Sequence, residues 1–469
     1  MTDFLIVEYQ DRIGGRLHEV KFGTKSDGSP YVVEAGANWV EGLGGSDKPE
    51  NPIYTLVKQM KSQFMNQSLG TTDYENKTTY DKTGKNDFSK IMDNHSAAMQ
   101  RVVVQAGASL RGNVQDKTLR AALRLVGWNP APNNSHAQLA DWFGCDFESS
   151  YSPEENSAVF SSVADNATFS HFSDENVFVH DQRGYSTIIR GEAATFLTAN
   201  DPRLLLNTIV TVVNYTSEGV TVTTQDGSCI EADYAISTFS LGVLQRDVVE
   251  FYPSFPSWKK SAIASFEIGT YTKIFLQFEK AFWPNSQYLL WADPRERGYY
   301  PLFQPLDLPG MLPGSGILMG TVVNKHAHKA EAQTDQETQE EIMEVLRTMY
   351  GKEIPNPKAI YYPRWSQEPW AYGSYSNWPP STSLQAHQNL RANIGRLFFA
   401  GEATSQEFYG YLHGAYYEGR AVGEMLAICI DEPANCTDKN GQPRYQTLTG
   451  VTPYDMYNEQ HGWSVDTTI

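Results

Sequence analysis

The chain opens on a short apolar run, Phe4-Leu-Ile-Val7, closed by Glu8 and followed at once by Arg12-Ile-Gly-Gly-Arg16. In a doubly wound fold, an acid at a strand end grips a ribose about 20 residues beyond the G-x-G-x-x-G turn that opens the first helix. No such turn precedes Glu8, so the chain carries the second half of a dinucleotide motif without the first. The expected fold class is therefore α/β, a Rossmann-like domain lacking its first strand and helix. With 469 residues there is also room for a second core.

Strand and helix signals alternate at both ends of the chain, while the middle mixes hairpins with helices. This pattern fits a discontinuous nucleotide-binding domain (1–60, 180–255 and 370–435) interrupted by an α+β substrate-binding domain (61–179 and 256–369). Residues 436–469, rich in Pro, Asn, Thr and Tyr, read as a surface tail. Phe4–Val7 reads as a buried strand and Leu17–Val33 as a strand pair turning at Lys25–Ser29. Residues 51–125 read as mostly helical, with Ile91, Met92, Met99, Val102, Val103 and Val104 as a buried stripe. Strands are expected at Leu204–Asn214, Val220–Gln225 and Cys229–Ser237. Tyr271–Phe278 alternates as a half-buried strand should. Thr334 and Glu337 form a capping box ahead of a helix to Tyr350, stopped at Gly351. Arg396–Gly401 reads as a last buried strand leading to a helix from about Gly410 to Ile430.

Charge excludes some partners. The chain has 37 basic against 55 acidic residues and a formal net charge of -18. Nucleic acid is disfavoured and a cation favoured. No apolar run approaches the ~18 residues of a membrane span, and Met1-Thr-Asp-Phe4 is not a signal peptide. The cysteines, Cys145, Cys229, Cys429 and Cys436, show no C-x-x-C spacing, and no metal site is expected. Cys429 and Cys436 either close a small disulfide loop or are two unrelated thiols. Glycosylation sequons begin at Asn66, Asn76, Asn94, Asn133, Asn166, Asn214 and Asn435, more than composition alone predicts. Both features lean toward a secreted, extracellular parent protein, with a cytoplasmic one as the alternative.

Three segments carry chemistry. The Gly14-Gly15 pair lets backbone pass close to a pyrophosphate, and Arg16 supplies positive charge to phosphate oxygens. Ala400-Gly-Glu-Ala-Thr404 follows a strand, with Gly410-Tyr-Leu-His-Gly-Ala415 opening a helix whose N-terminus favours anions. Ala37-Asn-Trp-Val-Glu-Gly42 sets an acid in a small-residue stretch. The same order of motifs includes Asp181–Tyr185, Leu241–Leu244, Tyr271–Leu276 and Ser376–Pro379.

Together these motifs resemble the flavin-containing amine oxidases, and among them the plant-type polyamine oxidases, from Thr2 to about Cys436. The resemblance implies FAD. Glu8 would hold the adenosine ribose, and Val210 would pair its backbone with adenine. Arg16 and the Gly36, Ala37, Asn38 and Trp39 backbone would line flavin and phosphates. Glu402 would meet the ribityl–pyrophosphate stretch. Ser405–Gly410 has no thiol where monoamine oxidases link their flavin, so the FAD is expected to be non-covalent. Without the glycine-rich turn, the chain as it stands is expected to bind FAD poorly.

The resemblance also assigns the substrate end. Lys273 matches the lysine that holds a water against the reactive flavin nitrogen, with its pKa lowered by desolvation. Tyr411 and Tyr375 match the aromatic pair facing the ring, with Tyr271 beside them. Glu41 and Glu148 match the carboxylates that orient a cationic chain. The implied reaction takes hydride from the carbon beside a secondary amine of spermidine or spermine. Dioxygen reoxidises the flavin to give hydrogen peroxide, and the imine hydrolyses to an aminoaldehyde and an amine. A monomer is expected. The rival readings are a flavin-free, inactive remnant acting as a binding protein, and another flavin amine oxidase acting on a monoamine or an L-amino acid. An amino acid oxidase would need an arginine for the substrate carboxylate, where this chain has Glu and aromatic residues.

Overall fold

The computed structural model describes residues 3–45, 47–63, 70–72, 76–111 and 114–431. Its largest sheet has seven strands, in the order Ala359–Tyr361, Tyr271–Gln277, Ile317–Val323, Leu302–Pro305, Tyr288–Trp291, Lys77–Asp81 and Gly84–Asn86. The Tyr271–Gln277 strand pairs along its whole length with Ile317–Val323 and is buried on both faces, not half-buried as its alternation suggested. Ile274 and Leu276 pack against Ala327, Ala330, Ile342, Met343 and Leu346 of the two following helices. Phe275, on the opposite face, packs against Phe22 and Val33. The period-two pattern therefore separates two covered faces rather than core from solvent. Lys273 shares the face of Phe275, which turns it toward the Glu19–Phe22 and Tyr31–Glu34 hairpin.

The segments expected to form the nucleotide-binding part contain short parallel pairs. Ile6–Val7 pairs with Leu204–Leu205, and Ala235–Ser237 pairs with Leu397–Phe399. A four-stranded sheet holds Cys229–Ala232, Val220–Thr224, Val210–Tyr215 and Glu250–Tyr252. The opening strand is shorter and less buried than expected: Ile6 and Val7 are half-buried and Leu5 is 49% exposed. Two expected strands divide. Leu204–Asn214 breaks after Leu205 because Asn207 adopts a left-handed conformation (φ 53°). Cys229–Ser237 breaks at Asp233 and Tyr234, where the chain leaves one sheet for another.

The 51–125 segment is helical at Pro52–Gln63, Ser89–Arg111 and Leu119–Leu125, but Lys77–Asn86 is a hairpin. β-branched Thr78 and Thr79 favour the strand. The Asp81 carboxylate accepts from Thr83 N at 2.8 Å to make the turn, and Gly84 sits at φ 107°. On the Ser89–Arg111 helix the buried face is His95, Ala98, Val102 and Ala106, while Met99 and Val103 turn toward a cavity. The capping box forms as expected: Thr334 accepts from Glu337 N and Glu337 from Thr334 N, with Gly351 ending the helix. The last helix runs Leu412–Asp431.

No helix among the described residues is long and apolar enough to cross a membrane. Cys145 and Cys229 are free and Cys429 is disulfide-bonded. Cys436 and the expected tail lie outside the described residues. Asn76, Asn94, Asn133 and Asn214 are exposed, while Asn66 and Asn435 also lie outside.

Candidate active site

A cavity of about 1090 Å³ is lined by residues from Val7 to Gly419. It is lined by every residue singled out from the sequence: Glu8, Arg16, Gly36, Ala37, Asn38, Trp39, Glu41, Glu148, Val210, Tyr271, Lys273, Tyr375, Glu402 and Tyr411. This volume lies just above the ~300–1,000 Å³ typical of ligand pockets. It is therefore large enough for a dinucleotide and a substrate together.

At one end Glu8 closes the Ile6–Val7 strand, and burial raises its pKa above the ordinary carboxylate value. One oxygen accepts from Gln10 N at 2.8 Å, while the Gln10 side-chain nitrogen is buried in the same wall with no partner. A buried donor without an acceptor is costly, and a ligand oxygen there would satisfy it. Gly14 and Gly15 take φ values of 115° and 55°, which only glycine adopts cheaply. Arg12 braces that turn by donating to Leu17 O at 2.8 Å and Gly15 O at 2.9 Å. Gly36 passes so close to Arg16 that a Cβ would stand 1.9 Å from its carbonyl oxygen. A β-bulge between Val210 and Val212 interrupts pairing with the Val220–Thr224 strand where Val210 faces the cavity. An orphaned donor, a bare backbone cradle and an arginine suit the FAD that the sequence implies.

Glu402 is more committed to the protein than expected. It accepts from Arg16 Nη1 at 2.9 Å, Ser376 Oγ at 2.5 Å and Gly410 N at 2.8 Å. It thereby ties Arg16 to the start of the last helix. Arg16 also donates to Ser374 O at 2.9 Å.

The other end is acidic and aromatic. Tyr411 donates to Glu148 Oε1 at 2.8 Å, and Tyr375 donates to the Glu148 carbonyl at 2.8 Å. The rings of Tyr271 and Tyr375 lie 6.1 Å apart, and Phe147 packs 6.0 Å from Tyr271. Burial raises the pKa of Glu41 well above the carboxylate range, with repulsion from Glu148 adding to it. Burial likewise raises Glu148, against the hydrogen bond from Tyr411. Two carboxylates that repel each other resist ionising together, and a cation would let both ionise. Lys273 donates to the Gly36 carbonyl, and burial lowers its ammonium pKa to about 7, against the pull of Glu34 and Glu41.

Some residues of the site carried no assigned role in sequence. Asn51 donates to the Glu41 carbonyl at 2.8 Å while accepting from Ile53 N at 2.9 Å. Its signal was an Asn before a Pro at a helix start. His413 stacks on Tyr411 with centroids 5.0 Å apart and lies 3.4 Å from Asn51. Met99, Gln100 and Val103 also line the cavity; their helical spacing alone could not separate core from cavity. His95, Asp141 and Cys145 also cluster. Asp141 is already spent on Arg120, Arg297 and Trp128, an ion-pair network rather than a vacant ligand set.

Residues 2–424 match the family described as flavin containing amine oxidoreductase. Polyamine oxidase 1 of Zea mays is 35% identical over 92% of this chain and 87% of its own length. Polyamine oxidase 6 of Oryza sativa subsp. japonica is 36% identical over the same shares. Among solved structures, wild-type putrescine oxidase bound to putrescine superposes with a TM-score of 0.68 at 18% identity, covering 90% of this chain and 93% of that one. Cyclohexylamine oxidase from Brevibacterium oxydans IH-35A gives 0.65 at 18%, covering 91% and 94%. These establish the fold as an FAD-binding, Rossmann-like architecture joined to a substrate-binding part. The chain belongs to the flavin-containing amine oxidoreductases.

Proposed function

We propose that this protein is an FAD-dependent polyamine oxidase acting on spermidine or spermine. The observation that carries the reading is the pair Glu41 and Glu148, which line one cavity with Lys273 and the aromatic residues Tyr271, Tyr375 and Tyr411, with Glu148 held by the Tyr411 hydroxyl at 2.8 Å. A flexible chain of ammonium groups is the ligand that such a pair selects, and aromatic walls add cation–π attraction. The polyamine oxidase relatives support the same substrate class, and nothing favours the inactive, monoamine or amino acid readings.

When bound, the flavin supplies the acceptor for hydride and the route for electrons to dioxygen. The protein's own residues do the rest. Glu41 and Glu148 hold the charged nitrogens, which leaves a secondary amine, neutral at the moment of reaction, beside Tyr375 and Tyr411. Lys273, neutral for part of the time near pH 7, can accept and return a proton at Nζ. At the other end, Glu8 would accept from the ribose, and Arg16, fixed by Glu402, would meet the phosphates. The Gly36–Trp39 backbone would line the ring, and Val210 would offer its backbone to the adenine. FAD is held without a covalent bond.

The chain divides into 1–60, 180–255 and 370–435 for FAD, with 61–179 and 256–369 for substrate. The protein acts as a monomer, with dioxygen as its second substrate and neither nucleic acid nor membrane as a partner. A secreted location is supported by the bonded Cys429 and the four exposed sequons.

Product analysis with spermidine tests the reading. Oxidation on one side of the secondary amine yields 4-aminobutanal and diaminopropane; on the other it yields 3-aminopropanal and putrescine. Either pair, with equimolar peroxide, supports it, and unchanged spermidine with turnover of a monoamine refutes it.

A further inference from the structure

Asn51 and His413 do not line the cavity, yet each touches a residue that does. Asn51 donates to the Glu41 carbonyl at 2.8 Å, and the His413 ring stacks on Tyr411 with an interplanar angle of 20°. Both side chains are buried, Asn51 completely. Tyr411 in turn donates to Glu148 at 2.8 Å. Asn51 and His413 thus reach the supports of both acids that the proposed reaction gives to the substrate.

The hydrogen bonds decide which atoms carry protons. Ile53 N donates to Asn51 Oδ1 at 2.9 Å, so the amide nitrogen is the atom that faces the Glu41 carbonyl. The same nitrogen lies 3.4 Å from His413 Nδ1. An amide nitrogen has only donors to offer, so Nδ1 must accept and carries no proton. The single proton of the ring then sits on Nε2, which lies 3.2 Å from the buried Thr168 Oγ1. A doubly protonated ring would set one N–H against another. Burial and the charge of His171 also disfavour a cation, lowering the His413 pKa to about 3. The rings of Phe172 and Phe408, 5.4 and 4.9 Å away, pack edge-on against the imidazole. The Glu41 segment is pressed against the same layer: a Cβ on Gly42 (φ 68°) would stand 3.1 Å from Phe172 Cβ and 3.2 Å from Thr168 O.

We propose that Asn51 and His413 are positioning residues: Asn51 fixes His413 as the Nε2–H tautomer, an uncharged ring backing Tyr411, and with the same amide holds the Glu41 carbonyl. One buried side chain thereby supports both acids, Glu41 through its backbone and Glu148 through His413 and Tyr411. A neutral backing leaves the Tyr411 π face to a substrate cation, whereas an imidazolium stacked there would draw on the same π electrons and repel the substrate's charge. The inference rests on the proposed function for its importance, but its nitrogen readout involves no polyamine, so either can fail alone.

The test is long-range nitrogen–proton NMR of the protein labelled with nitrogen-15 histidine, the His413 signals being assigned by their loss in His413→Gln. The unaltered protein is expected to show a proton on Nε2 alone from about pH 5 to about pH 8. Asn51→Asp keeps the size and the acceptor for Ile53 N but turns the donor into an acceptor, so Nδ1 is expected to gain a proton. A role in packing alone would leave both nitrogens as they are. In peroxide-release assays the same variant is expected to raise KM for spermidine roughly 2- to 30-fold, the range of one cation–π contact. Thr168→Val serves if the Asp variant does not fold: it removes the Nε2 acceptor, and the Nε2 proton signal is expected to shift. A proton on Nδ1 in the unaltered protein, nitrogen signals unmoved in a folded variant, or an unchanged KM in Asn51→Asp overturns the proposal.

Discussion

Replacing Glu148 probes the acidic end of the cavity most sharply, because two substitutions separate charge from contact. Its carboxylate accepts from Tyr411 at 2.8 Å and repels the charge of Glu41. Glu148→Gln keeps an acceptor for Tyr411 and for a substrate N–H, and removes only the charge. Hydrogen bonds to charged groups contribute ~1.5–3 kcal/mol and neutral ones ~0.5–1.5. The difference, about 1–1.5 kcal/mol, lowers kcat/KM for spermidine roughly 5- to 12-fold. Glu148→Leu loses the whole interaction and leaves the Tyr411 hydroxyl unpaired, so it is expected to cost roughly 10- to 150-fold.

The pH dependence fixes the sign. Burial raises the Glu148 pKa, so its carboxylate is present above that value and is lost as pH falls through it. The ratio of wild type to Glu148→Gln should therefore be largest at alkaline pH and shrink toward one on acidification. Deprotonation of the substrate cancels in that ratio. Glu41, relieved of repulsion from Glu148, should ionise at lower pH in the variant. Initial rates of peroxide release over a range of spermidine concentrations, at several values from about pH 5 to about pH 8, give the ratio. A ratio constant with pH, or a Glu148→Gln enzyme as efficient as wild type, would refute the argument.

Two further outcomes follow from single contacts. Gly36→Ala places a Cβ 1.9 Å from Arg16 O and 2.9 Å from His18 N. Overpacking of that kind costs ~1–3 kcal/mol, to be read from the denaturant midpoint together with a lower ratio of bound flavin absorbance to protein; unchanged values for both contradict the close approach. His413 is buried and held neutral, its pKa lowered to about 3 by desolvation. Its contribution to stability is complete above the ordinary ~6.5 and is lost as pH falls from there, by up to ~1.4 kcal/mol per pH unit. His413→Asn should therefore gain on wild type as pH falls below ~6.5, and a stability difference independent of pH across that window would exclude the argument.

The parts of this molecule that were legible in sequence are those fixed by local chemistry. The capping box at Thr334 and Glu337, the turn at Lys25–Ser29 and the Gly410 entry to the last helix rest on neighbouring residues, and all formed. Most of the candidate site residues stand in a motif, Glu148, Val210 and Tyr375 being exceptions, and one cavity gathers them all. What escaped depends on partners distant in the chain. Alternation along Tyr271–Gln277 could not reveal that both faces are covered, since one cover comes from 324–350 and the other from 19–34. The Ser89–Arg111 stripe could not show that Met99 and Val103 face a cavity, because apolar residues serve both purposes. The commitment of Glu402 to Arg16, almost four hundred residues away in sequence, is equally invisible to spacing.

The central claim is that a polyamine gives up hydride in the cavity between Lys273 and Tyr411. The most direct measurement mixes the flavin-loaded protein with spermidine in the absence of oxygen and follows the visible flavin absorbance, then admits air. Bleaching by spermidine, its loss in Glu41→Leu/Glu148→Leu, and recovery in air with one peroxide per amine oxidised are the expected result. A spectrum that spermidine and spermine leave unchanged would contradict the account.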